Sequence, residues 1–179
     1  MKKFVLALTV TRIMLAPIIL IISIFFENYW AAFLLFNIAA LTDYFDGKLA
    51  RDYGVETRLG AILDPIADKV LLVFIIITVI SITQDFHVSA MSAFILGREF
   101  WVSALREYAQ SSEQSSATEV TFIAKSKTTF QFIALSMFLL GEAAQLALVS
   151  FLANFVLFLA LILSYKSAID YSQRLLKLK

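Results

Sequence analysis

The sequence predicts an all-α polytopic membrane protein with six transmembrane helices. Three observations lead there. Of 179 residues, 60% are hydrophobic and seventeen are phenylalanine, with a mean hydropathy of +0.84, whereas soluble domains are nearer half apolar. Several apolar runs reach the ~20 residues that a helix needs to cross the hydrocarbon core. Lysine and arginine gather on alternate connections between these runs.

The elements follow in order. "MKKFVLALTVTRIMLAPIILIISIFF" begins like a secretory signal, with two lysines before apolar residues. Arg12 interrupts that run and no small-x-small site precedes Glu27, so a retained first helix over 5–27 is expected. "ENYW" makes a tight turn whose Tyr29 and Trp30 suit a membrane interface, and helix two covers 30–51. The polar "RDYGVETRLG", with two glycines, leads to helix three over 62–84. "QDFHVS" turns the chain into helix four over 88–109, placing His87 at an interface. "QSSEQSSATE" is the longest polar connection and precedes helix five over 121–141. "LGEAAQ" separates it from helix six over 145–170, and "SYKSAIDYSQRLLKLK" reads as a basic tail. No internal repeat or second domain is apparent, so residues 1–179 are expected to form one membrane domain.

The charges test this segmentation independently. An even helix count puts both termini on one side, with the connections after helices two and four. That side holds Lys2, Lys3, Arg12, Lys48, Arg51, Arg58, Lys125, Lys127, Lys166, Arg174, Lys177 and Lys179, whereas the three opposite turns hold no Lys or Arg. The positive-inside rule then makes both termini cytoplasmic. The net charge of +1 with no basic run gives no footprint for nucleic acid. Without cysteine, disulfides and thiolate chemistry are excluded.

Four acids stand where acids are expensive. Asp43 and Asp46 are three apart and Asp64 and Asp68 four apart, so each pair shares a helix face. Asp43 lies thirteen residues beyond Trp30, ~20 Å along a helix, near the cytoplasmic end. Asp64 and Asp68 occupy the first turns of helix three on the same side, so the two pairs are expected to face each other. Divalent cations would relieve the repulsion among four carboxylates. All-oxygen ligation suits Mg²⁺ or Mn²⁺, and two such ions would clamp an in-line phosphoryl displacement. Simpler roles stay open at this point: Asp64-Pro65 suits a helix N-cap followed by proline at N1, and intramembrane acids also serve proton relays and ion pairs. Gly47, Ala50 and Gly60 leave a strip without bulk beside the acids, as helix packing or ligand access requires.

The pattern Asp43-x2-Asp46-Gly47-x2-Ala50-Arg51-x8-Gly60-x3-Asp64-x3-Asp68 resembles the signature of the CDP-alcohol phosphatidyltransferase family. The resemblance implies that family's six-helix membrane bundle, usually homodimeric, which displaces CMP from a CDP-linked lipid with Mg²⁺ or Mn²⁺. By resemblance, Asp43, Asp46, Asp64 and Asp68 would be metal ligands, with Asp68 also the catalytic base for the acceptor hydroxyl. Asp43, Gly47, Ala50, Arg51 and Gly60 would form the CDP-lipid site, the small residues giving close approach and Arg51 holding phosphate. "LTVTR" (Leu8–Arg12) resembles the start of these enzymes. "LDPIADK" (Leu63–Lys69), "REFWVSALRE" (Arg98–Glu107) and "AKSKTTFQ" (Ala124–Gln131) resemble the bacterial phosphatidylglycerophosphate synthases. Leu6 and Ala124 depart from the usual Asn or Thr and Gly.

An acceptor phosphate needs cations. Arg98 lies within helix four, where it must be paired or solvated by a cavity, and Arg106 follows on nearly the same face. Lys125 and Lys127 enter helix five from the cytoplasmic side. Pairing of Arg98 with a carboxylate and ordinary anchoring of the lysines are the simpler roles. The subfamily resemblance favours phosphate binding by Arg98, Arg106, Lys125 and Lys127, with Ser126 and Thr128 as hydroxyl partners.

The expected activity is therefore transfer of a phosphatidyl group from CDP-diacylglycerol to sn-glycerol 3-phosphate at the cytoplasmic face of a bacterial inner membrane. A different acceptor alcohol, above all phosphatidylglycerol as in a cardiolipin synthase, uses the same scaffold. A divalent-cation transporter is the alternative of another class.

Overall fold

A computed structural model describes the backbone of residues 2–52, 58–111 and 122–176, and the side chains of residues 6–42, 59–60, 62–109 and 126–175. Six helices occur among the described residues: α1 (Lys2–Phe25), α2 (Tyr29–Asp52), α3 (Arg58–Thr83), α4 (Phe86–Ser111), α5 (Phe122–Ala144) and α6 (Ala147–Leu176). All six expected helices are present, with shifted ends.

Four of them are long and apolar enough to cross a membrane: Leu6–Phe25, Ile62–Thr83, Phe86–Ala109 and Ala147–Leu175. Six such spans are thus not established. Within α2, the stretch whose side chains are described, Tyr29–Thr42, is apolar. In α5, Lys125, Lys127 and Glu142 dilute the apolar run.

Two boundaries correct the sequence reading. α3 begins at Arg58, so Asp64 lies beyond its first turn and Pro65 falls inside the helix. The N-cap role for Asp64 is therefore excluded. α6 continues to Leu176, so most of the expected basic tail is helical. The cause is packing: Ser164, Ala168, Tyr171 and Leu175 recur at helical spacing and are buried. Ala168 and Tyr171 cluster with Val102 of α4, and Leu175 with Ala109 and Leu105.

The residues group into two compact units, Met1–Thr83 with Leu135–Ser150, and Gln84–Ala134 with Phe151–Lys179. In the first unit, α1 packs against α2 and α3. The buried faces of α1 and α2 are largely small or polar, with Thr9, Arg12, Ala16, Ile19 and Ser23 on α1 and Ala32, Phe36 and Ala39 on α2, whereas α3 buries Ala67 and then Leu71, Leu72, Ile75, Ile76 and Val79. Large side chains such as Phe25, Phe26, Leu34 and Leu41 point outward. On α1 and α2, mostly small residues inside with bulk outside is the pattern that lipid selects, since lipid rewards close packing and tolerates apolar exposure. Some hydroxyls are satisfied within their own helix, as where Ser23 and Thr78 donate to the carbonyls of Ile19 and Phe74. Asn37 and Ser136 hydrogen-bond each other at 2.9 and 3.1 Å, tying α2 to α5.

The turns after α1, α3 and α5 share one device. Glu27, Gln84 and Gln145 each adopt a positive φ of 48–54° just past a helix end, closing it in the left-handed conformation usually left to glycine. The next helix is then capped by a side chain in two cases. Asn28 Oδ1 accepts the Ala31 amide at 3.1 Å, and Asp85 Oδ1 accepts the His87 and Val88 amides at 2.6 and 3.2 Å. His87 is exposed in the first turn of α4. A cavity of about 440 Å³ opens between the α1–α2 turn and the end of α5, lined by Glu27, Tyr29, Trp30, Glu142 and Gln145.

Gly141 of α5 is where bulk is least tolerated. A Cβ there would overlap Ser150 Oγ of α6 and lie 3.1 Å from the Ser150 amide nitrogen. Gly141→Ala is expected to lower stability by ~1–3 kcal/mol, the usual cost of overpacking. The check is thermal unfolding in detergent, where Gly141→Ala/Ser150→Ala recovers part of the loss.

Candidate functional site

Two helices of the first unit bring polar groups together. On α3, Asp64 and Asp68 are one turn apart, and on α1, Thr9 and Arg12 share the buried face that meets them. Thr9 Oγ1 donates to Asp64 Oδ1 at 2.7 Å, and Arg12 Nη1 donates to Asp68 Oδ1 at 2.7 Å. The Arg12 side chain is fully buried whereas that of Asp68 is 53% exposed. The acid is thus held by a buried donor while about half of its side chain stays exposed. Gly60, one turn before Asp64, is buried.

The other half of the expected site is on α2. Asp43, Asp46, Gly47, Ala50 and Arg51 all fall on that helix, but their side chains lie outside the described residues. Among the described residues no three metal-type ligands meet, and Asp64 with Asp68 is the part in view. These two donors are hard, anionic oxygens, one of them half-exposed, and they fit Mg²⁺ or Mn²⁺ better than softer metals.

The second unit holds a separate basic cluster. Arg98 of α4 is 3% exposed. Its Nε donates to the Ser164 carbonyl of α6 at 2.8 Å, and its Nη1 to Glu99 Oε1 at 3.0 Å. Lys127 of α5 donates to the same Glu99 oxygen, so one carboxylate holds two cations. Two turns along α4, Arg106 Nη2 donates to the Tyr171 hydroxyl at 3.1 Å, and its guanidinium lies 5.2 Å from the centre of that ring. Arg98 Nη2, Arg106 Nε and the Ser164 and Ser167 hydroxyls are buried and have no partner among the described residues.

The expected pairing of Arg98 with a carboxylate is therefore present, yet it consumes only part of the guanidinium. Two paired cations whose remaining buried N–H groups lack acceptors are suited to an oxyanion, because an unsatisfied buried donor costs ~1–3 kcal/mol. Lys125 is on α5 with its side chain outside the described residues, Ser126 is half-buried, and Thr128 is exposed.

Sequence reasoning assigned no site role to Thr9, Arg12, Glu99, Ser164 or Tyr171. Arg12 and Glu99 carried a usable signal, since a charge inside an apolar helix needs a partner. Thr9, Ser164 and Tyr171 carried none, being ordinary residues of membrane helices.

Residues 6–165 match the family described as CDP-alcohol phosphatidyltransferase. A relative from Salmonella choleraesuis is 41% identical over 138 residues, covering 74% of each chain. One from Cereibacter sphaeroides is 42% identical over 143 residues, covering 77% of this chain and 63% of the relative. One from Escherichia coli K12 is 39% identical over 138 residues, again 74% of each. All three are named CDP-diacylglycerol–glycerol-3-phosphate 3-phosphatidyltransferase. With most of its length matched and about two residues in five shared with such relatives, this chain belongs to the CDP-alcohol phosphatidyltransferase family.

Proposed function

We propose that this membrane enzyme transfers the phosphatidyl group of CDP-diacylglycerol to the primary hydroxyl of sn-glycerol 3-phosphate, releasing CMP and phosphatidylglycerol phosphate. The names of its relatives support the reaction. The observation that carries the acceptor assignment is the buried Arg98–Glu99–Lys127 cluster, with donors left over on Arg98 and Arg106. A free phosphate monoester carries enough charge to occupy such donors, and the arginines offer it bidentate geometry.

In this reading Arg98, Arg106, Lys125 and Lys127 hold the acceptor phosphate. Asp68 accepts the proton of the acceptor hydroxyl. The oxygen attacks the lipid-side phosphorus in line, and the phosphorus–oxygen bond to CMP breaks in the same displacement. Gly47, Ala50 and Gly60 leave room for the nucleotide, while Asp43 and Arg51 contact it. Asp43, Asp46, Asp64 and Asp68 would hold two Mg²⁺ or Mn²⁺ ions, which supply charge neutralisation for the pyrophosphate and the leaving group. The charge asymmetry of the connections supports six crossings of a bacterial inner membrane, both termini cytoplasmic and the site at that face. The single domain acts as a homodimer in this reading, on family likeness.

Three outcomes test it. Purified protein given CDP-diacylglycerol, Mg²⁺ or Mn²⁺ and radiolabelled acceptors should make phosphatidylglycerol phosphate from glycerol 3-phosphate, and no cardiolipin from phosphatidylglycerol. The opposite pattern would move the enzyme to another acceptor class. Asp64→Asn should abolish CMP release while leaving the melting temperature close to wild type, and near-normal release would refute the metal assignment. Arg98→Lys should raise KM for glycerol 3-phosphate ~10–100-fold, the loss of ~1.4–2.8 kcal/mol of phosphate contact, with little change in KM for CDP-diacylglycerol.

A further inference from the structure

Thr9 and Arg12 are three residues apart on α1, and the acids they meet are four apart on α3. Their two hydrogen bonds, both 2.7 Å, are successive rungs between one face of each helix. The donors are buried, at 0% and 1% exposure, while Asp64 is half-buried and Asp68 exposed. Each acid is therefore gripped from its protein side.

We propose that Thr9 and Arg12 are positioning residues for phosphatidyl transfer: Thr9 aims Asp64 as a ligand for a divalent cation, and Arg12 aims Asp68 at the acceptor hydroxyl. This rests on the metal reading given above. The two rungs act differently because their charges differ. A neutral hydroxyl bonded to a ligating carboxylate fixes its orientation without opposing the ion. A guanidinium beside the same site repels a divalent cation, which offsets what it gives by orienting Asp68 as a ligand, so Arg12 adds no net metal affinity. What it gives is a fixed rotamer for Asp68, held by a charge-assisted hydrogen bond from a side chain that packing immobilises. If both bonds only held α1 to α3, their loss would lower stability and leave metal affinity and turnover coupled to it.

The test measures Mn²⁺ binding by electron paramagnetic resonance without substrates, melting temperature in detergent, and steady-state kinetics on the full chain. Thr9→Val is expected to weaken Mn²⁺ binding by ~10–100-fold, and Thr9→Ser to restore most of it. Arg12→Gln and Arg12→Lys are expected to lower kcat at least ~10-fold with Mn²⁺ binding no weaker than wild type. Arg12→Lys retains a cation beside Asp68, so it carries the test if Arg12→Gln does not fold. Wild-type Mn²⁺ affinity in Thr9→Val, wild-type kcat in folded Arg12 variants, or Mn²⁺ affinity in those variants falling in step with melting temperature would overturn the proposal. Failure of the wild-type protein itself to bind Mn²⁺ would remove the metal reading together with it; failure confined to the variants' expected changes removes the positioning roles alone.

Discussion

A charge carried into an apolar helical bundle must be matched there, and in this protein that constraint organises both polar clusters. Arg12 is fully buried against α3 and meets Asp68. Arg98, equally buried, is met by Glu99 and a backbone carbonyl. Unmatched, each guanidinium would cost several kcal/mol in desolvation. Matched, each one locks its neighbours in place. The same bonds that make these charges tolerable therefore also orient Asp68 in one unit and Arg98 with Lys127 in the other, the groups given roles in the proposed reaction.

Packing between the charges is of another kind. Small and polar residues line much of the buried faces of α1 and α2, leucines and isoleucines fill that of α3, and a glycine lets α5 meet α6. Bulk faces outward, where lipid accepts it. Close backbone approach of this kind is what lets side chains as short as Thr9 and Asp64 reach across an interhelical gap.

Much of the fold was legible because apolar run length and polar interruption are read directly from composition, and all six helices appear where these put them. Their ends were less so. Asp64-Pro65 reads as a helix start, yet α3 already runs from Arg58, since proline is tolerated within membrane helices whose freed carbonyls find other partners. The last residues read as a basic tail beyond a helix ending near 170, yet Tyr171 and Leu175 pack against α4 within a helix that runs to Leu176. At the site, the acids announce themselves through their cost. Their partners on α1 do not, because which residue of one helix faces an acid of another depends on crossing geometry that spacing cannot supply. Glu99 was visible as a buried charge, but not as the bridge between Arg98 and Lys127.

The central claim is that the acceptor oxygen, freed by Asp68, attacks the phosphorus directly, with no phosphatidyl group passing through the protein. The stereochemistry at that atom reports it most directly. With CDP-diacylglycerol made chiral at the lipid-side phosphorus by sulfur and oxygen isotope substitution, a single in-line displacement gives phosphatidylglycerol phosphate with inverted configuration. Retention would mean two displacements and a covalent phosphatidyl-enzyme, and would contradict the role given to Asp68.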